Sequence, residues 1–149
     1  MIYSIFPCTG KSTIVSTTID VIDLESSVLF VNDKRPDNWV DIYINIADLL
    51  SKQGFRVLLS SHKEVRDALS SRNIKFISIY PSKDLKNHWI DKLKSRYENI
   101  PTDKNKRALE YVLSNYDSMV DDMSHDPNSY CIEDKYYDLK NVLNVSSYY

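Results

Sequence analysis

At 149 residues, with 42% hydrophobic and 27% charged residues, the chain has the size and composition of one ordinary globular domain with a buried core. A formal net charge of −2 excludes a whole-surface attraction for nucleic acid, so any such contact must be a local patch. No apolar run approaches the ~20 residues of a membrane span. The N-terminal MIYSIF lacks a signal-peptide pattern, and Cys8 and Cys131 are too few for a disulfide framework. A cytoplasmic protein with no membrane partner is the expectation.

Ile2–Phe6, closed by Pro7, reads as a buried strand, followed by a brief helix from Lys11 to about Thr17. Thr18–Asp23 reads as a second strand, and the polar stretch 31–38 as loop. Trp39, Ile42, Tyr43, Ile46, Leu49 and Leu50 share a helical face, with Gly54 placed for a left-handed stop. Phe55–Ser60 is a third strand. Ser61 and Glu64 form a capping box for a helix that buries Val65 and Leu69. Lys75–Tyr80 is a fourth strand, and Ser82 caps a helix carrying Leu85, Trp89 and Leu93. After a loop at Ile100–Asp103, a stripe of Leu109, Val112, Leu113, Tyr116, Met119, Val120 and Met123 marks another helix. Residues 124–129 break it, and Tyr130–Ile132 reads as a last short strand. Strands alternating with helices predict a single α/β domain over 1–149, with a mostly parallel sheet of about five strands covered on both faces.

Gly10-Lys11-Ser12-Thr13 follows the first strand and opens a helix, the setting of a Walker A phosphate loop. There, backbone N–H groups of Cys8, Thr9, Gly10, Lys11, Ser12 and Thr13 would cradle phosphates, with Lys11 on the β/γ-phosphates and the Ser12 hydroxyl on Mg²⁺. Asp23, ending the second strand, is the candidate base or metal partner, and Glu25 and Ser26 are its neighbours on the substrate side. Ser60 and His62 end the third strand on the same side, at the place where a Walker B acid would be expected and is missing. Arg96, in KLKSRYE, is the candidate lid cation. The three histidines are too far apart in sequence to suggest a zinc site.

Several blocks together resemble a family of small P-loop proteins from bacteriophages and related bacterial elements, labelled ATPases or nucleotide kinase-like proteins. The blocks are FPCTGKST (6–13), DLESS (23–27), PDNWVDIYI (36–44), LLSSHKEVRDAL (58–69) and IKFISIYPSKDLKNHWIDKLKSR (74–96). The resemblance covers roughly residues 1–120 and fades at YYDLKNVL. It implies a three-layer P-loop NTPase-like fold in the cytoplasm of a bacterial host, with ATP and Mg²⁺ as cofactors. It also implies that residues 9–13 hold the phosphates, that Asp23 lies near the substrate, and that Ser60, His62, Lys63 and Arg66 form a second signature. The departure is Cys8, standing where the family loop has glycine. If that position needs a positive φ, the substitution costs about 1 kcal/mol in backbone strain.

Two functions follow as expectations. The first is an ATP-dependent phosphotransferase acting on a nucleotide, a nucleoside or a nucleic-acid hydroxyl, with Lys11, Asp23 and Arg96 as its catalytic residues. The alternative is a catalytically weak or inactive P-loop-fold phage protein that binds or inhibits a host protein. The intact GKST favours the first; Cys8 and the missing Walker B acid favour the second.

Overall fold

Apolar runs of four to six residues become the centre of the molecule because a parallel sheet is covered on both faces and needs apolar side chains on each. The computed structural model describes residues 1–146. Its strands are β1 (Ile2–Ile5), β2 (Val21–Asp23), β3 (Arg56–Ser60), β4 (Phe76–Pro81) and β5 (Ser129–Ile132). The helices are α1 (Lys11–Thr17), α2 (Trp39–Lys52), α3 (Lys63–Ser71), α4 (Lys86–Asn99), α5 (Asp103–Ser124) and α6 (Leu139–Ser146). The five strands form one sheet in the order β2-β3-β1-β4-β5, every neighbouring pair parallel. β1 lies in the middle, and Ser4 pairs in register with Leu59 on one side and Ser78 on the other. The chain leaves β1 towards β2 and leaves β4 towards β5, so the direction of winding reverses beside β1. Open α/β sheets bind ligands outside the carboxyl ends of the strands at such a reversal.

Alternation along the strands divides the core. Ile2, Val57, Leu59 and Phe76 pack with Tyr43, Ile44 and Ala47 of α2 and with Val65 and Leu69 of α3. Tyr3, Ile5, Leu58, Ile77 and Ile79 belong to a second cluster with Ile14 of α1 and with Leu139, Val142 and Leu143 of α6. The Tyr3 hydroxyl donates to the Leu143 carbonyl at 3.2 Å, which fixes α6 against β1. Arg66, only 3% exposed, ties α3 to α5 by donating to Asp126 at 2.7 Å and to Asp122, while the Ser78 hydroxyl donates to Asp126 from β4.

Two helices end in the same way. Gly54 (φ 95°) and Asn73 (φ 57°) are left-handed residues just past α2 and α3. In each case the next N–H reaches back to the carbonyl five residues earlier, Phe55 to Leu50 and Ile74 to Leu69. With only two glycines in the chain, asparagine takes the second position, because its short polar side chain tolerates this conformation best after glycine.

Several expected details are corrected. The α2 stripe is rotated: Ile44 and Ala47 are buried, and Leu49 is 60% exposed. Leu113 likewise stands 44% exposed outside the buried face of α5. The Ser61/Glu64 capping box does not form. His62 is the extended N-cap of α3, with no side-chain cap bond, and the Ser61 carbonyl accepts from Arg66 Nε. Ser82 precedes a 3₁₀ turn at Lys83–Leu85 without capping it through its hydroxyl, and α4 starts only at Lys86. Ser26–Leu29 forms a 3₁₀ turn and α6 lies where no helix was expected, whereas the turn-rich 31–38 segment does contain a turn, closed by Val31 and Lys34.

Replacing Arg66 by Ala leaves the largely buried Asp126 without its cation and leaves Asp122 with only Lys63, at 3.9 Å. The expected loss is about 3 kcal/mol of unfolding free energy, read from urea denaturation. A loss below about 1 kcal/mol would show that the pair is as weak as one on the surface.

Candidate functional site

The end of β1 turns into α1 through Phe6–Gly10, and this loop takes two left-handed residues, Cys8 (φ 63°) and Gly10 (φ 99°). Its carbonyls are tied back into the protein. Phe6 C=O accepts from the buried Thr9 hydroxyl at 2.6 Å, Pro7 C=O from Trp89 Nε1 at 3.0 Å, Thr9 C=O from the Tyr137 hydroxyl at 2.9 Å, and Gly10 C=O from Ile14 N–H at 3.2 Å. The N–H groups of Cys8, Thr9, Gly10, Lys11, Ser12 and Thr13 have no acceptor among the described residues. Left-handed residues in a turn that runs into a helix form a concavity of N–H groups suited to anions. A side chain added at Gly10 would meet nothing closer than Leu139 at 4.0 Å, so the space over the loop is open on that side.

Position 8 therefore does require a positive φ, and the non-glycine residue there costs about 1–2 kcal/mol. The partly buried Cys8 side chain packs against the core cluster, and its thiol is close enough to Lys92 and Tyr137 to influence their titration. Tyr137 stacks on Trp89 with centroids 5.5 Å apart, and Lys92 Nζ lies 4.0 Å from the Trp89 centroid and donates to the Tyr137 hydroxyl at 3.0 Å. Burial between these rings lowers the Lys92 pKa. This aromatic clamp holds the loop from α4 and from the segment before α6.

Lys11, the first residue of α1, reaches Asp23 at the end of β2, with Nζ 3.8 Å from Oδ1 and side chains 16% and 15% exposed. That is beyond hydrogen-bond distance, and Asp23 Oδ1 is buried with no hydrogen-bond partner among the described residues. Burial raises the Asp23 pKa from its ordinary 3.8; Lys11 opposes the rise and Glu25 adds to it. Tyr43 donates to the Leu24 carbonyl just beyond, and burial raises its own pKa to about 12.

Around this pair the structure gathers several expected residues. Glu25 accepts from Lys104 of α5 at 3.3 Å. Ser26 is buried and accepts from Arg35 at 2.8 Å. Ser60 Oγ, at the end of β3, is buried and has no partner among the described residues. The His62 ring meets Trp39 edge-on at 5.7 Å, and burial, then Arg35 and Lys11, lower its pKa from 6.5. The exposed Ser12 hydroxyl and the Thr13 side chain line the start of α1.

Arg96 is placed on α4 with a buried Nε that has no hydrogen-bond partner, and among the described residues no hydrogen bond or ion pair joins it to the loop. Lys63 pairs with Asp67 at 2.9 Å and with Asp122 at 3.9 Å, and Arg66 with Asp122 and Asp126, so both belong to the α3–α5 tie. Sequence reasoning missed Arg35, Trp89, Lys104 and Tyr137 as site residues, and in the basic KLKSRYE segment it preferred Arg96 to Lys92, which is the one that contacts Trp89 and Tyr137. The one available signal was Asn32-Asp33 between aromatic residues, a turn pair able to adopt positive φ. Among the described residues no helix is long and apolar enough to cross a membrane. No protein-family model matches the chain, and no curated protein matches it.

Because the folded protein holds Asp23 above its ordinary pKa, its stabilising contribution is present when the group is protonated and is lost as pH rises through the folded value. Asp23→Asn should therefore melt at a higher temperature than wild type at pH 7, with the gap narrowing as pH falls towards 4. A lower melting temperature for the variant across that range would show that Asp23 is held mainly by its attraction to Lys11.

Proposed function

We propose that the chain is a P-loop phosphotransferase that moves the γ-phosphoryl group of ATP to an acceptor bound over Asp23 and His62. The observation that carries this reading is the loop at residues 8–13: consecutive N–H groups with no protein acceptor, two left-handed residues and Lys11 at the head of α1. Its position beside the winding reversal of a parallel sheet supports the same reading, as does the resemblance of its sequence blocks to phage nucleotide kinase-like proteins.

The loop N–H groups and Lys11 would bind the donor phosphates and balance charge as it spreads over the transferred group. Ser12 and Asp23 are the oxygen donors that would hold Mg²⁺, which would supply positive charge to neutralise the donor phosphates. Asp23 keeps Lys11 directed across the mouth of the loop. Lys104, through Glu25, brings the start of α5 to the same cleft. Catalysis would then consist mainly of positioning and charge stabilisation, since the chain offers no covalent intermediate here.

A second reading is favoured by Ser60, which stands at the end of β3 where a metal-organising acid would be expected, and by the strained Cys8. On that reading the chain is a weak or inactive member of the fold that acts on a host protein.

Mg·ATP should raise the melting temperature of wild type but not of Lys11→Ala. Phosphoryl transfer from γ-labelled ATP should fall by roughly 10²-fold or more in that variant. Equal melting shifts in the two proteins would remove the enzyme reading.

A further inference from the structure

Arg35 is set in a built position. Asn32 (φ 51°) and Asp33 (φ 62°) are the two left-handed centres of a tight turn, closed by Val31 and Lys34, which exchange backbone hydrogen bonds at 2.7 and 3.1 Å. The turn delivers the guanidinium between two aromatic rings, its carbon 4.5 Å from the Trp39 centroid and 5.4 Å from that of Phe30. Stacking fixes the plane of the group, and Nη2 donates to the Ser26 hydroxyl at 2.8 Å. A guanidinium carries five donors in a planar fork. Arg56, Arg66 and Arg72 each use theirs on carboxylates, whereas Arg35 meets no carboxylate among the described residues, and its Nε is buried without a hydrogen-bond partner.

Two contacts connect this group to the phosphate loop: Ser26, which accepts from Arg35, lies three residues after Asp23, the ion-pair partner of Lys11, and Trp39 lies against both Arg35 and the His62 ring. Two cations approach one cleft from different elements, and one of them has a fork matched to a tetrahedral oxyanion. Next to it, Phe30 is 45% exposed, and Val28 and Val31 are 66% and 64% exposed, which gives an apolar surface on which a base can stack.

We propose that the acceptor is a nucleoside monophosphate, with its phosphate on Arg35 and its base against Phe30. This rests on the phosphotransferase reading above and names its substrate class. An oxygen of the acceptor phosphate forms a new bond to the γ-phosphorus. The bond from that phosphorus to the bridging oxygen breaks, and its electron pair leaves with the nucleoside diphosphate. A phosphate monoester has its second pKa at about 6, so at pH 7 the attacking oxygen is already deprotonated. Asp23 then serves to hold Lys11 and the metal, and no general base is needed.

The test is calorimetric titration of wild type, Arg35→Gln and Arg35→Lys with each deoxynucleoside 5′-monophosphate, its parent nucleoside, inorganic phosphate and a 5′-phosphorylated oligonucleotide. At least one monophosphate should bind wild type, with the nucleoside and inorganic phosphate each about ten-fold weaker or worse. Arg35→Gln should lose about ten-fold or more, and Arg35→Lys should recover only part, because it restores the charge without the fork. Matching melting curves for the three proteins would exclude misfolding; if a variant does not match, Phe30→Ala, which removes the base platform while Trp39 and Ser26 still hold the guanidinium, should weaken monophosphate more than inorganic phosphate. Equal binding of monophosphate and nucleoside, Arg35-independent binding, no binding of any probe, or Arg35-dependent binding of the oligonucleotide alone would each overturn the inference. Mg·ATP is titrated separately. Loss of its Lys11 dependence would sink the kinase reading while leaving the Arg35 site standing, and the converse result would do the reverse.

Discussion

The first N–H groups of a helix have no partner within it, and in the loop after β1 the N–H groups of residues 8–13 have no acceptor among the described residues. The hydrogen bonds that hold this loop fall on its carbonyls: Trp89 donates to Pro7, the Thr9 hydroxyl to Phe6, Tyr137 to Thr9, and Ile14 N–H to Gly10. The N–H groups are left without acceptors. Holding that arrangement requires left-handed backbone at Cys8 and Gly10, a middle strand to carry it and an aromatic clamp behind it. The fold can be understood as the support for this one exposed set of donors.

The same arrangement explains why the site is costly to the fold. Asp23 is half-buried opposite Lys11 at a distance too long for a hydrogen bond, and burial works against its charge. Cys8 adds backbone strain in a conformation that glycine would take freely. Buried or strained groups of this kind are common at binding sites, where preorganisation for a ligand matters more than the stability of the empty protein. The α3–α5 tie through Arg66 is the opposite case: Arg66 and Asp126 are at least as buried as Lys11 and Asp23, but they meet at hydrogen-bond distance.

Much of the scaffold was legible in the residues because its signals are local. Apolar runs ending in Pro7, Ser60 and Pro81 gave the strands, and the Val112, Tyr116, Val120 and Met123 spacing gave the long helix. The missed elements lack such signals. The segment of α6 is eight residues long, contains two valines and two asparagines, and is helical because it packs on β1 and α1. The loop at 8–13 and Asp23 could be found because a motif names them. Arg35, Trp89 and Tyr137 could not, because their roles depend on contacts spanning up to 128 residues of sequence, or on where a turn delivers a side chain.

The central claim is that the N–H groups of residues 8–13 are a phosphate cradle. Backbone amide resonances of an isotope-labelled sample, followed during titration with Mg·ATP, test it most directly. The account predicts large, saturable shifts at Cys8, Thr9, Gly10, Lys11, Ser12 and Thr13, with those of β5 unmoved. Saturable shifts elsewhere with these six amides unchanged, or no shifts at all, would contradict it.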